Sequence, residues 1–159
     1  MLGTTHALFA ILFGSIYIQY FGITDSFLLQ ILFAALLLLG AMLPDLDSEN
    51  ATISKQHPTA SKLVRAVSMH RGIMHSIIIP VTIYLISFYL IPKFVDIPHV
   101  LTYGLLLGYV SHLAADALTI GGLELFHPIS KFKIRGFVKT GGKLELLIAS
   151  LIVVYLLVF

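Results

Sequence analysis

His112 and Asp116 stand four residues apart in the stretch 108–128, GYVSHLAADALTIGGLELFHP. On a helix, positions i and i+4 point to the same side. An imidazole nitrogen and a carboxylate oxygen held by one rigid element are what a metal ion requires. His127 follows eleven residues later, beyond a Gly121-Gly122 pair that predicts the end of the helix. The plainer alternative is a histidine-to-aspartate hydrogen bond at a helix end, and the spacing alone does not choose between the two.

Residues of the same chemistry recur elsewhere. His6 opens the chain's first apolar run, Asp45 and Asp47 close the second, His70 and His75 flank the start of the third, and Glu145 begins the last. Asp45-Leu-Asp47 turns both carboxylates to one side if that segment is extended, which Pro44 favours. His70 and His75 are five apart, so a continuous helix aligns them poorly; His70 is expected just before the helix and His75 within it. Arg71, between them, carries a planar fork suited to a phosphate oxygen. Each has a bland reading as well: an interfacial histidine for His6, an Asx turn for Asp45 and Asp47. His57 reads as an ordinary solvated histidine, and Glu124 ranks below Glu145.

The elements that must position these groups are apolar. Hydrophobic residues make up 58% of the 159 and charged residues only 11%, against roughly 25% charged in an ordinary globular domain. The composition predicts a single all-α, polytopic membrane domain over 1–159. Five spans are expected, at 5–21, 27–43, 72–91, 99–118 and 144–159, with Pro44 stopping the second and Pro80 a kink site in the third. The first lacks the basic start and small-residue cleavage site of a signal peptide, so it reads as a permanent span. Two polar connections remain: 45–71, with a short helix at 60–69, and 119–142, where KFKIRGFVK suits a strand or an interfacial segment. Cysteine is absent, which excludes thiolate nucleophiles and cysteine-ligated metals.

With five spans, the amino terminus and both long connections share one side. Lys55, Lys62, Arg65, Arg71, Lys131, Lys133, Arg135, Lys139 and Lys143 lie there, and only Lys93 lies opposite. That bias places the shared side in the cytoplasm and the carboxyl terminus outside. His6, Asp45, Asp47, His70, His75, His112, Asp116, His127 and Glu145 all gather on the cytoplasmic side, while Asp25, Asp96 and His99 lie on the other. Burying a charged group within an apolar span costs about 2.5–3.5 kcal/mol on insertion scales unless it is partnered, and one shared ion would partner several.

Taken in order, GTTHALFA, LLGAMLPDLDS, HRGIMHS, GYVSHLAADALTIGG with its following FHP, and GGKLE resemble the YdjM-like, LexA-regulated family of inner-membrane, metal-dependent hydrolases across nearly the whole chain. The resemblance implies a small membrane-bound hydrolase of unspecified substrate. The order of histidines and aspartates is more loosely similar to the zinc-dependent phospholipase C and S1/P1 nuclease pattern, which would give ligand roles to His6, Asp45, His75, His112, Asp116 and His127. That pattern ends in a His-x-x-x-Glu pair, and Glu145 has no histidine four residues before it.

The expected chemistry is metal-assisted hydrolysis of a phosphoester at the membrane surface. Zinc suits the histidines, with manganese or iron as alternatives. Asp45 or Asp47 would bridge metals or serve as base, Arg71 would hold phosphate, and the basic 131–139 segment would lie on anionic lipid heads, at about 1 kcal/mol per Lys or Arg. Membrane lipids are the expected partners, and nucleic acid is not. Two other classes fit less of the pattern. A metal or proton transporter needs polar residues along the spans, and a membrane adaptor leaves the sorting of histidines unexplained.

Overall fold

The computed structural model describes residues 1–23, 26–47, 59 and 72–158, Asp47 through its backbone alone. The fold is all-helical. Five α-helices occur among the described residues: α1 (Gly3–Phe21), α2 (Phe27–Met42), α3 (Ile78–Leu85), α4 (His99–Ala117) and α5 (Lys143–Val158). A tight 3-10 turn, Leu43–Asp47, extends α2, and α3 runs on through a π turn, Ile86–Leu90, and a 3-10 turn, Ile91–Lys93. The segment between α4 and α5 contains no strand, only two isolated bridges, Thr119 to Val138 and Leu123 to Ile134. The expected helix at 60–69 lies outside the described residues, as do His57, His70, Arg71 and the side chain of Asp47.

Helix α4 is the axis of the packing, and glycines bring it against α2. Gly104 and Gly108, one turn apart, lie over the α2 backbone: a Cβ at Gly104 would be 2.8 Å from the Phe33 carbonyl oxygen, and one at Gly108 would collide with that of Leu37. Gly40 of α2 faces the Leu105 carbonyl in the same way. Where lipid rather than water surrounds helices, small residues that allow backbones this close replace the hydrophobic effect as the source of adhesion. Around this seam sit a cluster of Ala10, Phe33, Leu37 and Ala41 and a second of Phe9, Ala115 and Ile152, which joins α1 and α5 to α4.

The two prolines differ from their sequence-based roles. Pro80 lies in the first turn of α3, where a helix has no acceptor for its N–H groups, so it starts the helix rather than kinking it. His75 consequently falls in the turn before α3, not within the helix. Pro44 does not force an extended Asp45-Leu-Asp47, because the chain continues as a 3-10 turn. At three residues per turn, positions two apart no longer share a side.

One helix among the described residues, Phe27–Leu46, is both long and apolar enough to cross a membrane by length and composition; a shorter apolar helix is Ile78–Lys93. The difference from the five expected spans has a physical origin. At about 1.5 Å per residue the 16 residues of α5 reach roughly 24 Å, short of a hydrocarbon core of about 30 Å. Helices α1 and α4, of 19 residues each, dilute their apolar character with His6 and Gln19, and with His112 and Asp116.

Candidate metal centre

Four segments bring their ends together. His6 comes from the first turns of α1, Asp45 from the turn after α2, His75 from the turn before α3, and His112 and Asp116 from the last turns of α4. Ligand atoms of His6, Asp45 and His112, and separately of His75, His112 and Asp116, all lie within 4.8 Å of one another. His6 and His112 are buried; Asp45, His75 and Asp116 are half-buried, which leaves that side of the cluster open. The imidazoles of His6 and His112 stack with centroids 3.7 Å apart, and that of His75 meets His112 edge-on.

His112 is set in place by its neighbours. Its Nδ1 lies 2.6 Å from the Ala41 carbonyl oxygen. A carbonyl only accepts, so Nδ1 carries the proton and Nε2 presents its lone pair to the cluster. That buried Nε2 has no hydrogen-bond partner, and its nearby oxygens, Asp116 Oδ2 at 3.5 Å and Asp45 Oδ1 at 4.0 Å, are farther than in an ordinary N–H···O hydrogen bond. His75 Nε2 lies 3.6 Å from Asp116 Oδ2 and 3.9 Å from Asp45 Oδ1.

These separations fit a shared ion. Two donors each about 2.1 Å from one tetrahedral zinc lie about 3.4 Å from each other, close to the spacings here. The donor set, imidazoles with carboxylates and no thiolate, suits zinc and accommodates manganese or iron. The two ligand groups share His112, whose single available lone pair serves one ion. A second ion would therefore rely on the carboxylates, each with two oxygens, as bridges. Asp116 also draws the amino group of Met1 to 2.6 Å and His6 Nε2 to 3.3 Å, so several N–H donors already converge on this carboxylate.

Two of the expected site residues are held elsewhere. Glu145 is buried in the first turn of α5 and accepts the N–H groups of Leu2 and Gly141, each at 2.6 Å; it fastens the start of α1 to the start of α5. His127 Nδ1 is 3.3 Å from Glu124 Oε2, and Glu124 Oε1 is 3.1 Å from Lys133 Nζ. The Lys133 ammonium, with His127, holds the Glu124 carboxyl below the usual carboxylate range. Sequence reasoning passed over Tyr109, which is fully buried and donates its hydroxyl to the Met74 carbonyl, fixing the turn that carries His75. It also passed over Gly104 and Gly108, although a small-xxx-small pair in an apolar helix was there to be read.

Comparison with known proteins places the chain in a family. The YdjM inner membrane protein family matches residues 1–159. YvsG of Bacillus subtilis (strain 168), described as uncharacterized, is 30% identical over 94% of this chain and 88% of its own length. The inner membrane protein YdjM of Escherichia coli (strain K12) is 33% identical over 74% of this chain and 61% of its own, and that of Shigella flexneri aligns with the same figures. No solved structure matches the chain. With a family match along its whole length, the chain belongs to the YdjM family of inner membrane proteins.

Proposed function

We propose that this protein is a multi-span, metal-dependent hydrolase of the inner membrane, acting on a phosphoester at the cytoplasmic face. The observation that carries the reading is the buried, unpartnered Nε2 of His112 amid groups from four segments at ion-sharing distances. His75, His112, Asp116 and Asp45 would hold a divalent ion, with His6 stacked beside His112 as a further donor. When bound, such an ion supplies Lewis acidity and water activation near neutral pH. Asp45, on the open side of the cluster, is placed to accept a proton from water. The Ala41 carbonyl and the Tyr109 hydroxyl keep His112 and the His75 turn in position.

Membrane embedding is supported by the outer faces of the helices. Leu147, Leu151, Val154 and Val158 of α5 recur at helical spacing and are all exposed, as are Leu28, Ile31, Leu32 and Leu39 of α2. Soluble monomers rarely leave contiguous apolar surface uncovered on this scale. With all five apolar runs as spans, the charge bias puts the amino terminus in the cytoplasm. Reporter fusions after Lys62 and Arg135 are expected to read cytoplasmic and one after Asp96 external; Asp96 and Arg135 on the same side would end the topology.

The activity is tested on purified protein in mixed micelles of detergent and phospholipid. With zinc or manganese added it should release a headgroup or phosphate, and a chelator should abolish the release. Hydrolysis that survives full chelation would sink the metal-dependent reading.

A further inference from the structure

We propose that the small cavity between His75 and Lys133 is a seat for a phosphate group, with the Lys133 ammonium as its cationic donor. The substrate class rests on the hydrolase reading, whereas the seat itself is measurable without turnover. The cavity has a volume of about 120 Å³ and is lined by Gly72, His75, Gly122, Leu123, Glu124 and Lys133. That is room for several waters or for one tetrahedral oxyanion. One wall, His75, belongs to the candidate metal centre, 3.6 Å from Asp116 Oδ2; a group in the cavity would lie beside any ion held there.

The opposite wall is built rather than incidental. The Leu123 and Ile134 backbones exchange hydrogen bonds of 2.8 and 2.9 Å, and this pairing sets Glu124 beside Lys133 with Nζ 3.1 Å from Oε1. The pair ties the ammonium to the rim of the cavity, with 40% of the Lys133 side chain exposed, and leaves two further N–H donors for a ligand. The remaining wall is backbone: a Cβ on Gly72 would come within 2.9 Å of the His127 ring, and Gly122 has a φ of 70°. Glu124 repels anions, so a singly charged ligand gains little here. Attraction to Lys133 and repulsion from Glu124 scale alike with ligand charge, so the preference for a phosphate near −1.5 to −2 comes from its several acceptor oxygens and from a neighbouring divalent ion.

Isothermal titration calorimetry of inorganic phosphate into the full chain in detergent, loaded with Mn²⁺, decides the proposal. Lys133→Met is expected to weaken phosphate binding about tenfold with Mn²⁺ content unchanged, and Lys133→Arg to restore most of it. Unchanged phosphate affinity in Lys133→Met overturns the seat. Displacement of inorganic phosphate by micelles containing phosphatidic acid, but not by phosphatidylcholine, marks a lipid-borne phosphate; with the Lys133→Met loss intact, failure to displace overturns the lipid source alone. If neither Mn²⁺ nor Zn²⁺ binds, the metal-dependent reading falls, and the same titration on the metal-free chain still decides the seat.

Discussion

Asp116→Asn is expected to lower bound metal more than about tenfold while the protein stays folded in detergent. The amide keeps the shape of the carboxylate and can still hydrogen-bond, so a purely structural partner of His112 would tolerate the change. A ligand would not, because the charge that holds the ion is gone. His112→Ala is expected to do the same, and the double variant to be little worse than either single one, since groups that act on one ion are not additive. Metal content by elemental analysis, with circular dichroism as the check on folding, measures this. Full metal content in both single variants would reduce the pair to a helix-end contact, His112 Nε2 lying 3.5 Å from Asp116 Oδ2.

The second large effect is expected far from any ligand atom. Gly108→Leu places a side chain where even a Cβ would collide with the Leu37 carbonyl and sit 2.9 Å from the Ala41 nitrogen. Backbone cannot swing aside as a flexible side chain can, so α4 must move away from α2, at a cost of about 1–3 kcal/mol or more. His112 is one turn further along α4, and its Nδ1 would lose the Ala41 carbonyl that fixes its tautomer. The melting temperature in detergent should fall by several degrees, together with metal affinity. Gly3→Ala is the control: nothing lies within 4 Å of a Cβ there, and both quantities should stay as they are. A wild-type melting temperature in Gly108→Leu would mean that the seam does not hold the helices.

What was legible in the sequence follows from the range of each interaction. The helical pair His112 and Asp116 is fixed by one period of one helix, and apolar runs separated by polar connections give the elements directly. The helix limits of α1, α2, α4 and α5 fall within two residues of the expected ones. The gathering of His6, Asp45 and His75 beside that pair is legible only as a common position at helix ends. Conformation at those ends was not, since Pro44 and Pro80 each fit more than one local geometry and packing selects among them. Glu145 shows another limit: a buried carboxylate can be satisfied by main-chain N–H groups as well as by an ion, and Leu2 and Gly141 carry no side-chain signal of that role. The pairing of Glu124 with Lys133 depends on a bridge between two segments that no local periodicity announces.

The glycine seam between α2 and α4 also sets a timetable for biogenesis. Ala41 and His112 are 71 residues apart in the chain, so at about 5–20 residues per second a nascent α2 waits roughly 4–14 s for the helix that closes it. By the end of that interval His6, Asp45 and His75 have all been synthesised, still without the residues of α4 beside which they sit. A centre of the proposed kind would therefore form only once α4 has docked, and a chain interrupted before Gly108 would carry His6, Asp45 and His75 without His112 and Asp116.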